Sequence, residues 1–252
     1  GANQWSTGDR VFYHGDLSKA GGFAEYAITT AHTTARIPDG VGFAEAAAIP
    51  CAGLTAYEAV VRRLNVQPDH IVWMQGGAGG VGGFAVQMCA NIGAAVITTA
   101  SERNHEYVKS LGASYAIDYA NEDVVARIME ITKGRGVDRV LAAVDEATAD
   151  QGIEVLAFRG GLATVAGLPQ LAESTFDNAR SIHRVAYGGA HTSTNREAQV
   201  DLALMAEEMI GLVAEKKIDP MIEQVIGLDD IPEGLAQLET RHVRGKIVAE
   251  LV

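Results

Sequence analysis

Three glycines, Gly77, Gly79 and Gly82, stand in the spacing G-x-G-x-x-G, directly after the apolar run Ile71-Val72-Trp73-Met74 and at the head of a stretch that continues through Phe84, Val86, Gln87 and Met88. A strand that passes through such a turn into a helix can hold a dinucleotide pyrophosphate. The first glycine allows the tight turn, the second lets the backbone approach phosphate, and the third lets the helix pack on the strand. Gly77, Ala78, Gly79, Gly80, Val81 and Gly82 are therefore the expected pyrophosphate contacts, with the N–H groups of the first helical turn facing the anion. In a chain with 28 glycines the motif alone is weak. Its context gives it weight, because a glycine stop at Gly93 and a second apolar run, Ala95-Val96-Ile97-Thr98-Thr99, follow at once.

The elements that must position this turn can be read outward from it. From residue 71 onward, strands are expected at 71–74, 95–99, 115–118, 137–144, 161–166 and 182–188. Helices are expected after the glycine turn and at 106–111, 122–132 and 147–157. This alternation predicts an α/β fold, a doubly wound, six-stranded parallel (Rossmann) sheet covered on both faces. The flanks read differently. Extended segments at 10–13 and 23–29 are separated by the turns Gly8-Asp9, Gly21-Gly22 and Pro38-Asp39-Gly40, and the chain ends with a strand (222–226), a helix (231–238) and a strand (246–251). The flanks are expected to pack together as a second, mainly β domain, linked to the nucleotide fold by long helices at 52–64 and 197–216. The domain expectation is thus 1–50 for the first part of that second domain, 51–219 for the nucleotide fold with its connecting helices, and 220–252 for the return.

Composition narrows the partners. The chain has 252 residues, 48% of them hydrophobic, and a formal net charge of −12, which suits a globular protein of one or two domains. An acidic surface repels phosphate polymers, so nucleic acid is not an expected partner and phosphate binding must be local. Two cysteines, Cys51 and Cys89, cannot build a disulfide framework or a four-cysteine zinc lobe, which points to a reducing cytoplasm. No run approaches the roughly 20 apolar residues of a membrane span, and Gly1-Ala2-Asn3-Gln4-Trp5 has none of the regions of a signal peptide.

The succession Gly8-Asp9-Arg10-Val11, Gly22-Phe23-Ala24-Glu25-Tyr26, Ala46-Ala47-Ala48-Ile49-Pro50, Gly53-Leu54-Thr55-Ala56-Tyr57, Gly77 to Gly82, Leu111-Gly112-Ala113 and Gly245-Lys246-Ile247-Val248 resembles the medium-chain dehydrogenase/reductases, specifically their quinone oxidoreductase-like branch. Members of that family begin with further strands before the Gly-Asp-Arg-Val turn, so the resemblance implies an N-terminally truncated chain, in which 1–50 is the remnant of a substrate domain and the second domain is incomplete. Zinc-dependent members insert a cysteine-rich lobe after that turn. Here Val11 passes through Phe12-Tyr13-His14-Gly15-Asp16-Leu17-Ser18-Lys19-Ala20 straight to Gly21-Gly22-Phe23, which implies the zinc-independent type. Cys51 falls where zinc members carry one catalytic cysteine ligand. A single thiolate is not a site, because catalytic zinc takes three protein ligands and a water. Cys51 is therefore read as a small buried cysteine at the start of a packed helix and Cys89 as core, with no metal ligands assigned.

NAD sites usually carry Asp or Glu at the tip of the second strand. The resemblance places Ser101 there, with Glu102 one residue beyond and Arg103 next. In related NADPH-dependent members a tyrosine after the third strand and an arginine shortly before the C-terminal glycine reach the 2′-phosphate, and Tyr119 and Arg241 match those positions. Asn104 stands where the family usually has a lysine. These matches imply NADPH. Thr55, Gly167 and Ala190 match further cofactor contacts of the family, and Gly167 reads equally as a strand-end turn glycine.

No Ser-His-Asp or paired-carboxylate constellation stands out, and hydride transfer does not oblige one. Tyr13, His14, Tyr187 and His191 are pocket candidates by position, against a surface or packing role for each, and no catalytic residue is assigned. The implied activity is NADPH-dependent hydride transfer to a quinone or an α,β-unsaturated carbonyl. The alternatives are a zinc-type alcohol dehydrogenase or carbonyl reductase, and a non-catalytic NADPH-binding protein. A homodimer joined along the strand 182–188 is expected, as in the family.

Overall fold

The computed structural model describes residues 4–170 and 179–251. The chain forms two compact units, one built from 1–54 with 186–252 and the other from 55–185. In the first unit β1 (Val11–Tyr13) runs antiparallel to β2 (Thr34–Arg36), with buried Phe12 opposite buried Ala35. Next comes α1 (Phe43–Ala48), whose Glu45 carboxylate reaches back to accept the Gly42 N–H at 2.6 Å. Neither β2 nor α1 was expected. The expected strand at 23–29 makes no ladder among the described residues, and Phe23, Tyr26 and Ile28 are 61, 90 and 95% exposed. Extended backbone alone does not make a strand without a partner to take its hydrogen bonds.

The chain leaves this unit through α2 (Ala52–Tyr57), which opens into a π-helical turn at Glu58–Arg63. There the Leu64 N–H donates to the Ala59 carbonyl, five residues back, at 2.8 Å. The second unit then alternates β3 (Ile71–Met74), α3 (Gly80–Ile92), β4 (Ala95–Ala100), α4 (His105–Ser110), β5 (Tyr115–Asp118), α5 (Val124–Ile131), β6 (Val137–Ala142), α6 (Glu146–Glu154), β7 (Leu156–Thr164) and β8 (Ser181–Arg184). The six strands are parallel in the order β5-β4-β3-β6-β7-β8, the doubly wound Rossmann arrangement the alternation predicts. Consecutive Val72, Trp73 and Met74 are all buried, since a parallel sheet is covered on both faces. One face packs Trp73, Ile97, Ile117, Ile128, Val140 and Leu162 together. The order reverses between β3 and β6, and ligands of such sheets bind at the C-terminal strand ends beside that switch.

Several boundaries differ from the sequence reading. The helix expected through residue 157 stops at Glu154 with Val155 as its C-cap, because Leu156 and Ala157 belong to the sheet: the Val137 N–H donates to the Val155 carbonyl at 2.8 Å and Val137 pairs with Leu156. The strand therefore starts at 156 rather than 161, and it kinks where Arg159 takes φ 64° and the register against β6 shifts. At its other end the sheet finishes earlier than expected. β6 ends at Ala142 rather than 144, and β8 ends at Arg184 rather than 188, before the glycine pair Gly188-Gly189 in a 3-10 turn, Tyr187–Thr192.

The first unit resumes with α7 (Arg196–Ala214), capped by the Asn195 side chain, which accepts the Glu197 and Ala198 N–H groups at 3.0 and 3.3 Å. Its buried residues include Leu202, Met209 and Ile210, and it packs on β2. The expectation for 51–219 grouped this helix with the nucleotide fold, whereas it lies in the unit that holds both ends of the chain. Then come β9 (Ile222–Ile226), α8 (Ile231–Glu239) and β10 (Lys246–Ala249), with β9 and β10 in a parallel pair. Among the described residues no helix is long and apolar enough to cross a membrane.

One carboxylate ties strand starts together in the sheet. Asp138 accepts the Ile71 N–H at 2.9 Å and an Arg135 N–H at 3.1 Å. Burial opposes its ionisation, but the Arg135 bond and the Ile71 N–H outweigh that and hold the carboxyl below its ordinary value. A depressed folded-state pKa contributes stability above the unfolded pKa, and that contribution is lost as pH falls through the folded value. Asp138→Asn should therefore unfold at lower denaturant than the native protein at neutral pH, with the gap narrowing steadily in acid. A gap that stays constant across an acid titration would show that the ionised carboxylate contributes nothing.

Candidate functional site

The glycine turn is clamped by two threonines of β4. The Gly76 N–H donates to Thr99 Oγ1 at 3.2 Å and the Gly77 N–H to the Thr99 carbonyl at 3.1 Å, while Thr98 Oγ1 donates to the Met74 carbonyl at 2.5 Å. The turn closes through the Gly79 N–H to the Gly76 carbonyl at 2.9 Å. Gly76, one residue ahead of the motif, takes φ +63°, so the left-handed residue of the turn is not Gly77. Gly77 is needed for space, because a Cβ there would sit 2.3 Å from Thr98 Oγ1. A Cβ on Gly82 would lie 2.3 Å from the Gly76 carbonyl oxygen and 2.6 Å from that of Gln75. Gly79 differs, since its nearest atom would be the Gly76 oxygen at 3.4 Å. Two glycines thus have no room for a side chain, while the third, at the N-cap of α3, a helix 13 residues long, would meet the protein only at contact distance. This cradle fits a pyrophosphate. Gln75, directly after β3, donates from Nε2 to the Thr148 carbonyl at 2.6 Å, and its buried Oε1 has no hydrogen-bond partner among the described residues.

β4 and β5 run side by side with Ala100 opposite Asp118, so Ser101 and Tyr119 follow at the same end of the sheet. Ser101 precedes a 3-10 turn, Glu102–Asn104, and accepts from Asn104 Nδ2 at 3.2 Å. Arg103 is exposed on that turn and makes no ion pair among the described residues, and Tyr119 is 59% exposed. Asp118 holds the turn before Tyr119: it accepts from Asn121 Nδ2 at 2.6 Å and from the Ala120 N–H at 3.1 Å. Those bonds, the Asn121 one foremost, keep its carboxyl below the usual range. Thr55 is buried in α2. Gly167 sits against α6, since a Cβ there would come 2.8 Å from the Glu146 N and Cα, and the Thr164 hydroxyl donates to its carbonyl. The structure therefore gathers Gly77 to Gly82, Ser101, Arg103, Tyr119 and Gly167 in the second unit. Ala190 and Arg241 lie in the first, Ala190 in the 3-10 turn after β8 and exposed Arg241 at φ 58° after α8.

The first unit brings together three of the pocket candidates. His14 is only 8% exposed, and its Nδ1 lies 3.2 Å from Nε2 of His191. The Tyr187 ring meets His14 edge-on at 4.8 Å, and the Tyr187 hydroxyl donates to the Cys51 carbonyl at 3.3 Å. Burial, then the facing His191, push His14 below the ordinary histidine value, with Asp16 opposing. No spacing in the sequence flags this pair, whose members are 177 positions apart.

Cys89 is buried as expected, and desolvation pushes its thiol far up. Cys51 corrects the expectation of burial. It is exposed at φ 69°, at the break between α1 and α2, where a left-handed residue turns the chain. Its charged neighbour is Lys246, whose ammonium is pushed below the ordinary lysine value by burial. Among the described residues no group of three or more His, Cys, Asp or Glu side chains can hold a metal ion. Cys51 supplies one thiolate, whereas a catalytic zinc takes three protein ligands and a water.

A profile described as zinc-binding dehydrogenase matches residues 80–207, half of the chain. A chloroplast envelope quinone oxidoreductase homolog of Arabidopsis thaliana is 29% identical over 99% of this chain and 75% of its own length. A zinc-type alcohol dehydrogenase-like protein of Schizosaccharomyces pombe is 28% identical over 91% of this chain and 66% of its own length. Quinone oxidoreductase from Pseudomonas syringae superposes with TM-score 0.83 at 26% identity, over 98% of this chain and 76% of that one. A mycobacterial structure complexed with NADPH superposes with TM-score 0.75 at 27% identity, covering 87% of this chain and 69% of that one. An NAD-dependent alcohol dehydrogenase structure does so with TM-score 0.76 at 28% identity, covering 92% and 66%. The chain thus spans two thirds to three quarters of the length of these proteins. On the profile match, the whole-chain relatives and the six-stranded fold together, the chain belongs to the zinc-binding dehydrogenase family, in the quinone oxidoreductase-like branch of the medium-chain dehydrogenase/reductases.

Proposed function

We propose that this chain is an oxidoreductase that uses NADPH to reduce a quinone or an α,β-unsaturated carbonyl. The observation that carries the reading is the glycine cradle, where crowding fills the Cβ positions of Gly77 and Gly82 and leaves the one at Gly79, at the head of α3, with a single neighbour at contact distance. A nicotinamide supplies the hydride when bound. The protein's part is to bind and orient. The N–H groups that open α3 face the pyrophosphate, as the positive end of a helix does for any phosphate. The choice of NADPH over NADH rests on Ser101 in place of a carboxylate, with exposed Arg103 and Tyr119 at the same sheet end and Arg241 added by the family resemblance. The solved relatives include one complexed with NADPH and one described as NAD-dependent, so these residues carry the preference. Two free cysteines suit a reducing compartment such as the cytoplasm.

A fluorescence titration should find NADPH bound more tightly than NADH. Arg241→Ala should remove much of the difference, since a charge-assisted phosphate contact contributes about 1.5–3 kcal/mol, roughly 10- to 100-fold in affinity. In the same titration Gly79→Ala should weaken both cofactors while lowering the melting temperature far less than Gly82→Ala, because a Cβ at Gly79 meets the Gly76 oxygen at 3.4 Å whereas one at Gly82 would lie 2.3 Å from it. Equal affinity for the two cofactors in the native protein sinks the preference.

Exposed Cys51 favours one rival reading, a zinc-type alcohol dehydrogenase. Metal analysis of active protein separates the two. Zinc-free protein with full turnover is the expected result, and one zinc per chain whose removal abolishes turnover would establish the rival.

A homodimer is the proposed assembly. β8 is an outermost strand of the sheet, paired on one side by β7, and such an edge is relieved by pairing with a second copy across a two-fold axis. Light scattering at micromolar concentration should return twice the chain mass. A monomer mass there excludes a stable dimer.

A further inference from the structure

A hydride added to an enone or a quinone leaves negative charge on the substrate oxygen, and that oxygen must be given a proton. The first unit has a cavity of about 200 Å³ bordered by Tyr13, Asp16, Lys19, His32, His191 and Gln199. Most of its charged or titratable groups already have partners. Lys19 pairs with Asp16 at 3.2 Å, and His32 Nε2 lies 2.8 Å from Gln199 Oε1 and 2.9 Å from an Arg196 guanidinium nitrogen. His191 is different, because its partner is another imidazole. The rings of His14 and His191 are within 18° of parallel with centroids 5.4 Å apart, yet Nδ1 and Nε2 are only 3.2 Å apart. The contact is therefore edge to edge through the nitrogens, the arrangement along which a proton passes from one ring to the next. The pair is braced: Tyr187 stands edge-on to His14, and a side chain at Gly188 would come 3.1 Å from His14 Cε1.

We propose that His191, backed by His14, binds the carbonyl oxygen of the substrate in this cavity and supplies its proton. This rests on the reductase reading above. In the competent state the pair holds one proton in excess of neutrality, with His14 protonated on both nitrogens and its Nδ1–H bonded to His191 Nε2. His191 then gives its Nδ1 proton to the enolate or phenolate oxygen formed by hydride uptake. As that N–H bond breaks, Nε2 of His191 takes the proton from Nδ1 of His14, and both rings end neutral with one proton each. Water returns the missing proton. His14 never touches the substrate and is a positioning residue. A second excess proton is opposed, because two imidazolium ions would face each other at 3.2 Å in a site where His14 is desolvated. The groups that bias the pair are Asp16, which favours the charge, and Lys19, which offsets Asp16, with the Tyr187 ring edge-on to His14. Because the donor is the protonated pair, turnover is present at low pH and lost as pH rises through the ionisation of the pair.

The test has two readouts on the full chain. In ring-nitrogen NMR of 15N-histidine protein without cofactor, His14 and His191 should move together in one step that takes up a single proton. In the His14→Asn variant the His191 step should shift. In kcat/KM against pH with NADPH and a quinone or enone, His191→Asn and His191→Gln should lower the value about 100-fold at low pH and erase the fall at high pH. His14→Asn should keep that fall at a displaced pH. Two rings that titrate independently, or a pH limb that survives in both His191 variants, overturns the proposal while leaving the reductase reading standing. A native protein that shows the coupled titration but oxidises NADPH with no quinone or enone overturns the reductase reading itself, and the proton-donor role with it.

Discussion

The helix of the nucleotide fold can start where it does only because Gly82 has no side chain. The carbonyl oxygens of Gln75 and Gly76 occupy the space a Cβ would need, so strand and helix meet at backbone contact. That contact fixes the position of Gly79 at the N-cap and hence the direction of the first-turn N–H groups. The threonines of the neighbouring strand supply the other half of the constraint. Thr98 and Thr99 bond the backbone of Met74, Gly76 and Gly77, so the turn is held by the sheet as well as by its own glycines. A cradle held from both sides is organised before any anion arrives, which is the condition under which backbone dipoles bind phosphate without a cost of ordering.

The rest of the sheet serves that geometry. Buried Val72, Trp73 and Met74 hold the strand that enters the turn, with Ile97 on β4 and Val140 on β6 opposite Trp73. Gln75 links the end of the same strand to the first turn of α6 through the Thr148 carbonyl. Gly167 brings the loop after the fifth strand onto that helix. The sheet thus carries its loops to one end by hydrophobic packing and pins them there by a few hydrogen bonds. The unit made of the two chain ends works differently. Several of its large apolar residues, among them Tyr26, Ile28 and Val225, are exposed, and its polar features are an imidazole pair with one buried ring and an exposed cysteine rather than a helix terminus.

The sequence determined the elements whose causes are local. Alternating apolar runs and glycine stops gave the six strands of the nucleotide fold in order, and Gly93 ends its helix at φ 99° as a C-terminal glycine should. The motif glycines were legible too, because their spacing is itself the requirement. Where the sequence misled, a long-range partner decided. Leu156 and Ala157 read as the end of a helix, yet pairing with Val137 makes them the start of a strand. Phe23, Tyr26 and Ile28 read as strand because they are bulky, yet no described strand lies beside them. The left-handed residue of the turn is Gly76 rather than Gly77, since the crowding that sorts the two comes from Thr98 on another strand. Cys51 read as buried, and its exposure follows from a left-handed break between two helices that composition does not announce. The meeting of His14 with His191 across 177 positions is wholly a product of tertiary structure, because side chains that far apart in sequence come together only when the packing of the whole unit places their backbones.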